Sequence, residues 1–162
     1  MIIIGYQGIG KSTLSQSYNG FIDLESSLFK HENGTRSSDW AKIYCKVAES
    51  LSEQKYWVLV SSHGSVQVEL SKSEERVIAI YPSIDIKDEW VKKLKNRWDE
   101  TKEEKDYAAY IGAAMNYESE IEVLNRSPFD KIIIRNVYYD LPNMIIDHFA
   151  VKEGKEVRKD DG

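Results

Sequence analysis

The residues Gly5-Tyr6-Gln7-Gly8-Ile9-Gly10-Lys11-Ser12 fit the pattern G-x-x-x-x-G-K-[S/T] at every fixed position. A loop of this kind wraps backbone N–H groups around phosphate oxygens, at the positive end of the helix that follows it. Gly8 and Gly10 allow the backbone the close approach and the conformations that a Cβ would block. Ile9 would contribute backbone only. Lys11 is expected to reach the β- and γ-phosphates of a nucleotide, and the Ser12 hydroxyl to ligate Mg²⁺. Thr13 can add a contact near the α-phosphate. The expected ligand is therefore ATP with Mg²⁺.

The flanking residues suit that chemistry. Met1-Ile2-Ile3-Ile4 is a short apolar run rich in β-branched side chains, as in a buried parallel strand. Lys11 to Ser17 can begin a helix. Similar apolar runs at Phe21–Leu24, Tyr56–Val60, Val77–Tyr81 and Lys131–Arg135 predict four further strands. Between them lie helical patterns. Ser38 is the expected N-cap of a helix with its apolar stripe at Trp40, Ile43, Tyr44, Val47 and Leu51. Val66–Leu70 reads as a short helix. From Asp85 the chain is dense in charge, with Trp90, Val91, Leu94 and Trp98 on one helical side. Tyr107, Tyr110, Ile111, Ala114, Tyr117, Ile121 and Leu124 continue at helical spacing. Pro142 opens a last helix with Met144, Ile145 and Phe149 inward.

This alternation predicts an α/β three-layer sandwich around a five-stranded, mainly parallel sheet. One domain is expected over 1–150, with a helical region at 88–126 and a charged, frayed tail at 151–162.

Composition narrows the partners. The chain has 162 residues, 41% of them hydrophobic and 30% charged, with a net charge of −5. That is enough chain for one domain with a real core. An acidic balance disfavours a broad nucleic-acid surface, although a few local cations suffice for a small anion. The single Cys45 excludes an internal disulfide and a cysteine-rich metal site. No two of the three histidines have metal-ligand spacing. No apolar run approaches membrane-spanning length, and the N-terminus reads as a strand rather than a signal peptide, so a cytoplasmic protein is expected.

In parallel α/β sheets ligands sit at the carboxyl ends of the strands. Asp23 and Glu25 lie there, after the second strand, and alternation puts them on one face. One of them can act on Mg²⁺ or orient an acceptor; a solvated strand end is the plainer alternative. The second acid of motor-type ATPases, expected after a later strand, is missing. The strand at 56–60 ends in Ser61-Ser62-His63, and that at 131–134 in Arg135-Asn136.

Gly5–Thr13 followed by Phe21-Ile22-Asp23-Leu24-Glu25 resembles the phosphate loop and D-x-D strand end of shikimate kinase. More broadly the chain resembles the small P-loop kinases, the adenylate kinase, shikimate kinase and deoxynucleoside monophosphate kinase group, including kinase-like proteins of bacteriophages. It departs from the shikimate kinase pattern at Glu25, where that family has a second Asp, and at His63, where it has a Gly. The resemblance implies a helical lid bearing arginines, for which 88–105 is the candidate and Arg97 the first choice. It implies that Arg135, after the fifth strand, lies near the adenine base. Arg126 could be a second lid residue or a helix-end cation. Arg36 can hold an acceptor phosphate or carboxylate by a forked pair of hydrogen bonds, or be an ordinary loop arginine. His63 can touch the acceptor or bond to a neighbouring loop.

The expectation is a transferase: a nucleotide kinase moving the γ-phosphoryl group of ATP to a small acceptor, foremost a nucleoside or deoxynucleoside monophosphate. Lys11, Asp23 and Arg97 would carry the chemistry. The alternative is a nucleotide-binding regulatory or interaction protein with little transfer.

Overall fold

Ile2, Ile3 and Ile4 are wholly inaccessible to solvent, so the first strand, β1 (Ile2–Gly5), is covered on both faces. A strand with no polar face belongs in the middle of a sheet with helices on either side. Each fully buried isoleucine contributes roughly 1.5–3 kcal/mol, which fixes that placement. In the computed structural model β1 lies between β3 (Trp57–Ser61) and β4 (Val77–Pro82), pairing Ile4 with Val60 and with Ala79. β2 (Phe21–Asp23) forms one edge beside β3, and β5 (Asp130–Ile134) the other beside β4. The order is β2-β3-β1-β4-β5, and all four pairings are parallel.

The described residues are 1–160, with side chains described to Ala150. Six helices accompany the sheet among them: α1 (Lys11–Ser17), α2 (Trp40–Glu53), α3 (Gly64–Leu70), α4 (Lys87–Thr101), α5 (Glu104–Arg126) and α6 (Leu141–Asp160). The expected tail at 151–162 falls on backbone that is helical to Asp160; its side chains, and residues 161 and 162, lie outside the described residues. No described helix is long and apolar enough to cross a membrane.

All five predicted strands form, but two details of α2 differ from expectation. The helix begins at Trp40 with Asp39 at its boundary and no capping side chain, so Ser38 is not the N-cap. Its buried positions are Ala41, Tyr44, Cys45, Ala48 and Ser52, while Ile43 and Val47 are exposed. The buried face is thus turned by one residue, about 100°, from the most hydrophobic stripe. Small side chains at 41, 45 and 48 let the helix approach its neighbours closely, and that packing outweighs the hydrophobicity of Ile43 and Val47.

The helical region at 88–126 is a hairpin of α4 and α5. Lys87 at the start of α4 pairs with Glu118 late in α5 at 3.1 Å, and Arg97 late in α4 pairs with Asp106 early in α5 at 3.2 Å. Trp98 stacks on Tyr110 and tilts against Tyr107 between them.

The chain direction reverses at β1. From β1 it moves through α1 to the β2 edge, and from β3 it crosses over β1 to β4. The crevice at the carboxyl end of β1 is therefore where this sheet can receive a ligand.

Tyr44 of α2 joins the two strand ends beside that crevice. Its hydroxyl donates to the Leu24 carbonyl at 2.6 Å and accepts from the Ser61 N–H at 3.0 Å, inside the protein. Tyr44→Phe strands both groups and is expected to cost about 1–3 kcal/mol, read as a lower urea midpoint with unchanged slope.

Candidate functional site

The loop between β1 and α1 reverses by two left-handed glycines, Gly8 at φ +89° and Gly10 at φ +108°. Other residues adopt that region at a cost. A Cβ at Gly8 would also lie 2.5 Å from Leu94 Cδ2 of α4. Two separate constraints thus require glycine there.

The loop is the floor of a cleft of about 510 Å³. Gly5, Gln7, Gly8, Gly10, Lys11 and Ser12 line that floor. One wall is the end of β2 and the turn after it, from Asp23 to Ser27 with Lys30 and Arg36. The exit of β3 contributes Ser61, Ser62 and His63. The opposite wall is the α4–α5 hairpin, with Arg97, Lys105, Asp106, Ala108, Ala109 and Glu120. Five cationic side chains, Lys11, Lys30, Arg36, Arg97 and Lys105, face this space with four carboxylates, Asp23, Glu25, Asp106 and Glu120. Cations set on opposite walls suit a ligand that carries negative charge at more than one place.

Lys11 is the centre of this arrangement. Its ammonium donates to the Gly5 carbonyl at 2.7 Å. Burial pushes its pKa down to about 8, against the upward pull of Asp23 and Glu25. Burial likewise raises the Asp23 carboxyl above its ordinary value, and Lys11 pulls it back. Two groups that burial penalises therefore face one another across the floor. A phosphate against Lys11 would restore the partner that water no longer supplies.

The α4–α5 wall presents a cation already oriented. Arg97 Nε binds Asp106 Oδ1, and Thr101 donates to the other oxygen of this buried carboxylate. On the β2 side the Arg36 guanidinium lies 4.4 Å over the Trp40 ring. Its Nη2 donates to Ser26 Oγ over 3.5 Å, and its Nε is buried with no hydrogen-bond partner. A buried donor left without an acceptor costs energy, and an anion in the cleft could supply one. His63 Nδ1 is 2.7 Å from Ser61 Oγ, with its ring edge-on to Trp40. Burial, then the positive charge of Arg36, Lys11 and Lys30, push the His63 pKa below its usual value.

The structure brings together Gly8, Gly10, Lys11, Ser12, Asp23, Glu25, Arg36, His63 and Arg97 of the residues expected from sequence. It leaves out four. Ile9 is 2% exposed and packs in the core, and its N–H is turned back to the Tyr6 carbonyl. Thr13 is exposed on α1 and Arg135 is exposed beyond β5; neither lines the cleft. Arg126 is likewise exposed, at the end of α5. Lys30, Lys105, Asp106 and Glu120 join the site unanticipated. They sit in charge-rich stretches where spacing marks no residue, and only the packing of α5 brings Asp106 and Glu120 over the loop.

Ser12 and Asp23 are the residues present that could hold Mg²⁺ beside phosphate oxygens, and both face the cleft. Compared with known proteins, the chain matches no family model and no curated protein.

The lowered pKa of Lys11 has a consequence for stability. Between about pH 8 and its ordinary 10.5 the unfolded chain holds the proton that the folded chain has lost. Stability of the ligand-free protein therefore rises with pH across that window. Lys11→Met should remove part of the rise and stabilise the protein at pH 7 by on the order of 1 kcal/mol. Lys93, also pushed down to about 8, keeps the remainder. Urea midpoints at pH 7 and 10 measure both effects; a Lys11→Met protein less stable than the parent at pH 7 contradicts the assignment.

Proposed function

We propose that the chain binds ATP with Mg²⁺ on the Gly5–Ser12 loop and transfers the γ-phosphoryl group to a small anionic acceptor of the nucleoside monophosphate class. The observation that carries this reading is the single cleft in which the loop's Lys11 and Ser12 meet Asp23, Arg36 and Arg97. Its size, about 510 Å³, lies within the range of small-molecule sites. The reading places it among the small P-loop kinases that the sequence resembles, and the all-parallel sheet with its crevice at β1 is compatible with that.

In this reading the loop's backbone and Lys11 hold the donor's phosphates. Arg36, with its Nε lacking a partner, docks the acceptor's own anion at the far end. Asp23 or Glu25 orients the acceptor. An acceptor oxygen forms a bond to the γ-phosphorus while the bond from that phosphorus to the β–γ bridging oxygen breaks, and ADP leaves with the electron pair. Any proton on the attacking oxygen passes to a carboxylate at the end of β2. Arg97, held by Asp106, meets the charge on the moving group. Mg²⁺, held by Ser12 and Asp23, would neutralise phosphate charge. The protein's own contribution is placement and electrostatics, with no covalent enzyme intermediate.

One observation favours the second reading, a nucleotide-binding regulator. Arg97 is already engaged by a buried carboxylate rather than turned fully to the cleft. ADP release from Mg-ATP across a panel of ribo- and deoxynucleoside monophosphates separates the two. Acceptor-dependent release that Lys11→Ala abolishes, and that Arg36→Ala slows with acceptor KM raised about tenfold or more, supports the kinase. ATP binding without turnover for any acceptor supports the regulator.

Phosphate against Lys11 should also lift its pKa, so Mg-ATP binding at pH 8.5 is expected to take up a proton. Calorimetry in two buffers of different ionisation enthalpy measures this. Equal heats in both buffers would contradict it.

A further inference from the structure

The phosphate loop is gripped from its outer side by a cluster that the phosphoryl-transfer reading does not use. Lys93 of α4 donates to the Gly8 carbonyl at 2.9 Å and to the Tyr139 hydroxyl at 2.8 Å. Tyr139, which follows β5, places its hydroxyl 2.7 Å from the Ile9 carbonyl and 3.3 Å from that of Gly8. Trp90, one turn before Lys93, donates Nε1–H to the Gln7 carbonyl at 3.1 Å. Three consecutive carbonyls, those of Gln7, Gly8 and Ile9, are thus each taken by a donor from outside the loop. The Lys93 ammonium lies 4.1 Å from the Trp90 ring centre and 4.6 Å from that of Tyr139, and the two rings stack at 5.8 Å.

In a trans peptide the N–H points opposite to the C=O. Pulling the Gln7 and Ile9 carbonyls outward turns the N–H groups of Gly8 and Gly10 the other way, toward the cleft that these two glycines line. The Ile9 N–H is already used by Tyr6. Inward carbonyls would repel a phosphate; outward ones leave donors facing it. Lys93 also stands four residues before Arg97 on the same helix, so the grip that shapes the loop sets the height at which Arg97 enters the cleft.

We propose that Lys93, with Trp90 and Tyr139, is a positioning residue: it holds the Gly5–Ser12 loop in its phosphate-receiving shape before any ligand arrives and fixes Arg97 in register with it. The brace makes α4 a fixed wall joined to the loop. A helical lid that swings as one body would have to break the Lys93, Trp90 and Leu94 contacts together.

The ligand side of this proposal rests on the nucleotide reading, whereas the shape of the loop does not. The test therefore has two arms, with Lys93→Met, Tyr139→Phe and, as a control on the neighbouring exposed position, Lys92→Met. The first arm is amide hydrogen exchange of the ligand-free protein. Lys93→Met should speed exchange about tenfold or more at Ile9, the loop amide bonded to the Tyr6 carbonyl, with Tyr139→Phe intermediate, Lys92→Met unchanged and the buried strand β1 unaffected. The second arm is Mg-ATP affinity by calorimetry, where Lys93→Met should weaken binding about tenfold or more, because the loop must then be ordered at the expense of binding energy. Exchange at Ile9 within twofold of the parent overturns the proposal, as does acceleration spread evenly over the chain. If Lys93→Met does not fold, Tyr139→Phe carries the same criteria. Should the parent bind no Mg-ATP, the nucleotide reading falls, and the exchange arm still decides whether the brace exists.

Discussion

An ammonium group sits at the carboxyl end of the most deeply buried strand of the sheet, and the rest of the site is arranged around its cost. Lys11 is partly withdrawn from water; its hydrogen bond goes to a carbonyl of its own loop, and the charges of opposite sign that act on it are Asp23 and Glu25. Burial outweighs those carboxylates, so the cation is held in a state less favourable than it would have in water. A protein that keeps such a group has a site that gains from an incoming anion.

Three pieces of architecture maintain that condition. The isoleucines of β1 fix the start of the loop between β3 and β4. Tyr44 ties the end of β2 to the end of β3, which keeps Asp23 beside Lys11 rather than frayed at a sheet edge. The α4–α5 hairpin supplies the outer grip on the loop and the wall from which Arg97 and Lys105 face the floor. Each piece would be ordinary packing alone. Together they hold cations on both sides of one cleft of about 510 Å³.

Much of this was legible in the sequence because it rests on local patterns. The glycine spacing, the apolar run before it and the acids at the end of the second strand each occupy a few adjacent residues. What was not legible depends on tertiary contact. Lys93 reads as one of several solvated lysines on a charged helix; only the approach of Tyr139 from beyond β5 makes it a brace. Nothing in the sequence singles out Asp106, which is the buried partner of Arg97. The turned face of α2 illustrates the same limit, since small residues decided which side could approach the sheet. The resemblance places Arg135 near the adenine base; in the structure it is exposed beyond β5 and outside the cleft, and it is Tyr139 that reaches the loop.

The central claim is that residues 8–12 form a receptor for phosphate whose occupancy is felt at Asp23 and Arg97. The most direct measurement is a titration of the isotope-labelled protein with a non-hydrolysable ATP analogue and Mg²⁺, followed by amide and side-chain resonances. The account predicts that the amides of Gly8, Gly10, Lys11 and Ser12 shift along one saturating curve, with Asp23 and the Arg97 side chain following the same curve. Saturable shifts confined to another surface, or no shift at the loop at millimolar analogue, would contradict it.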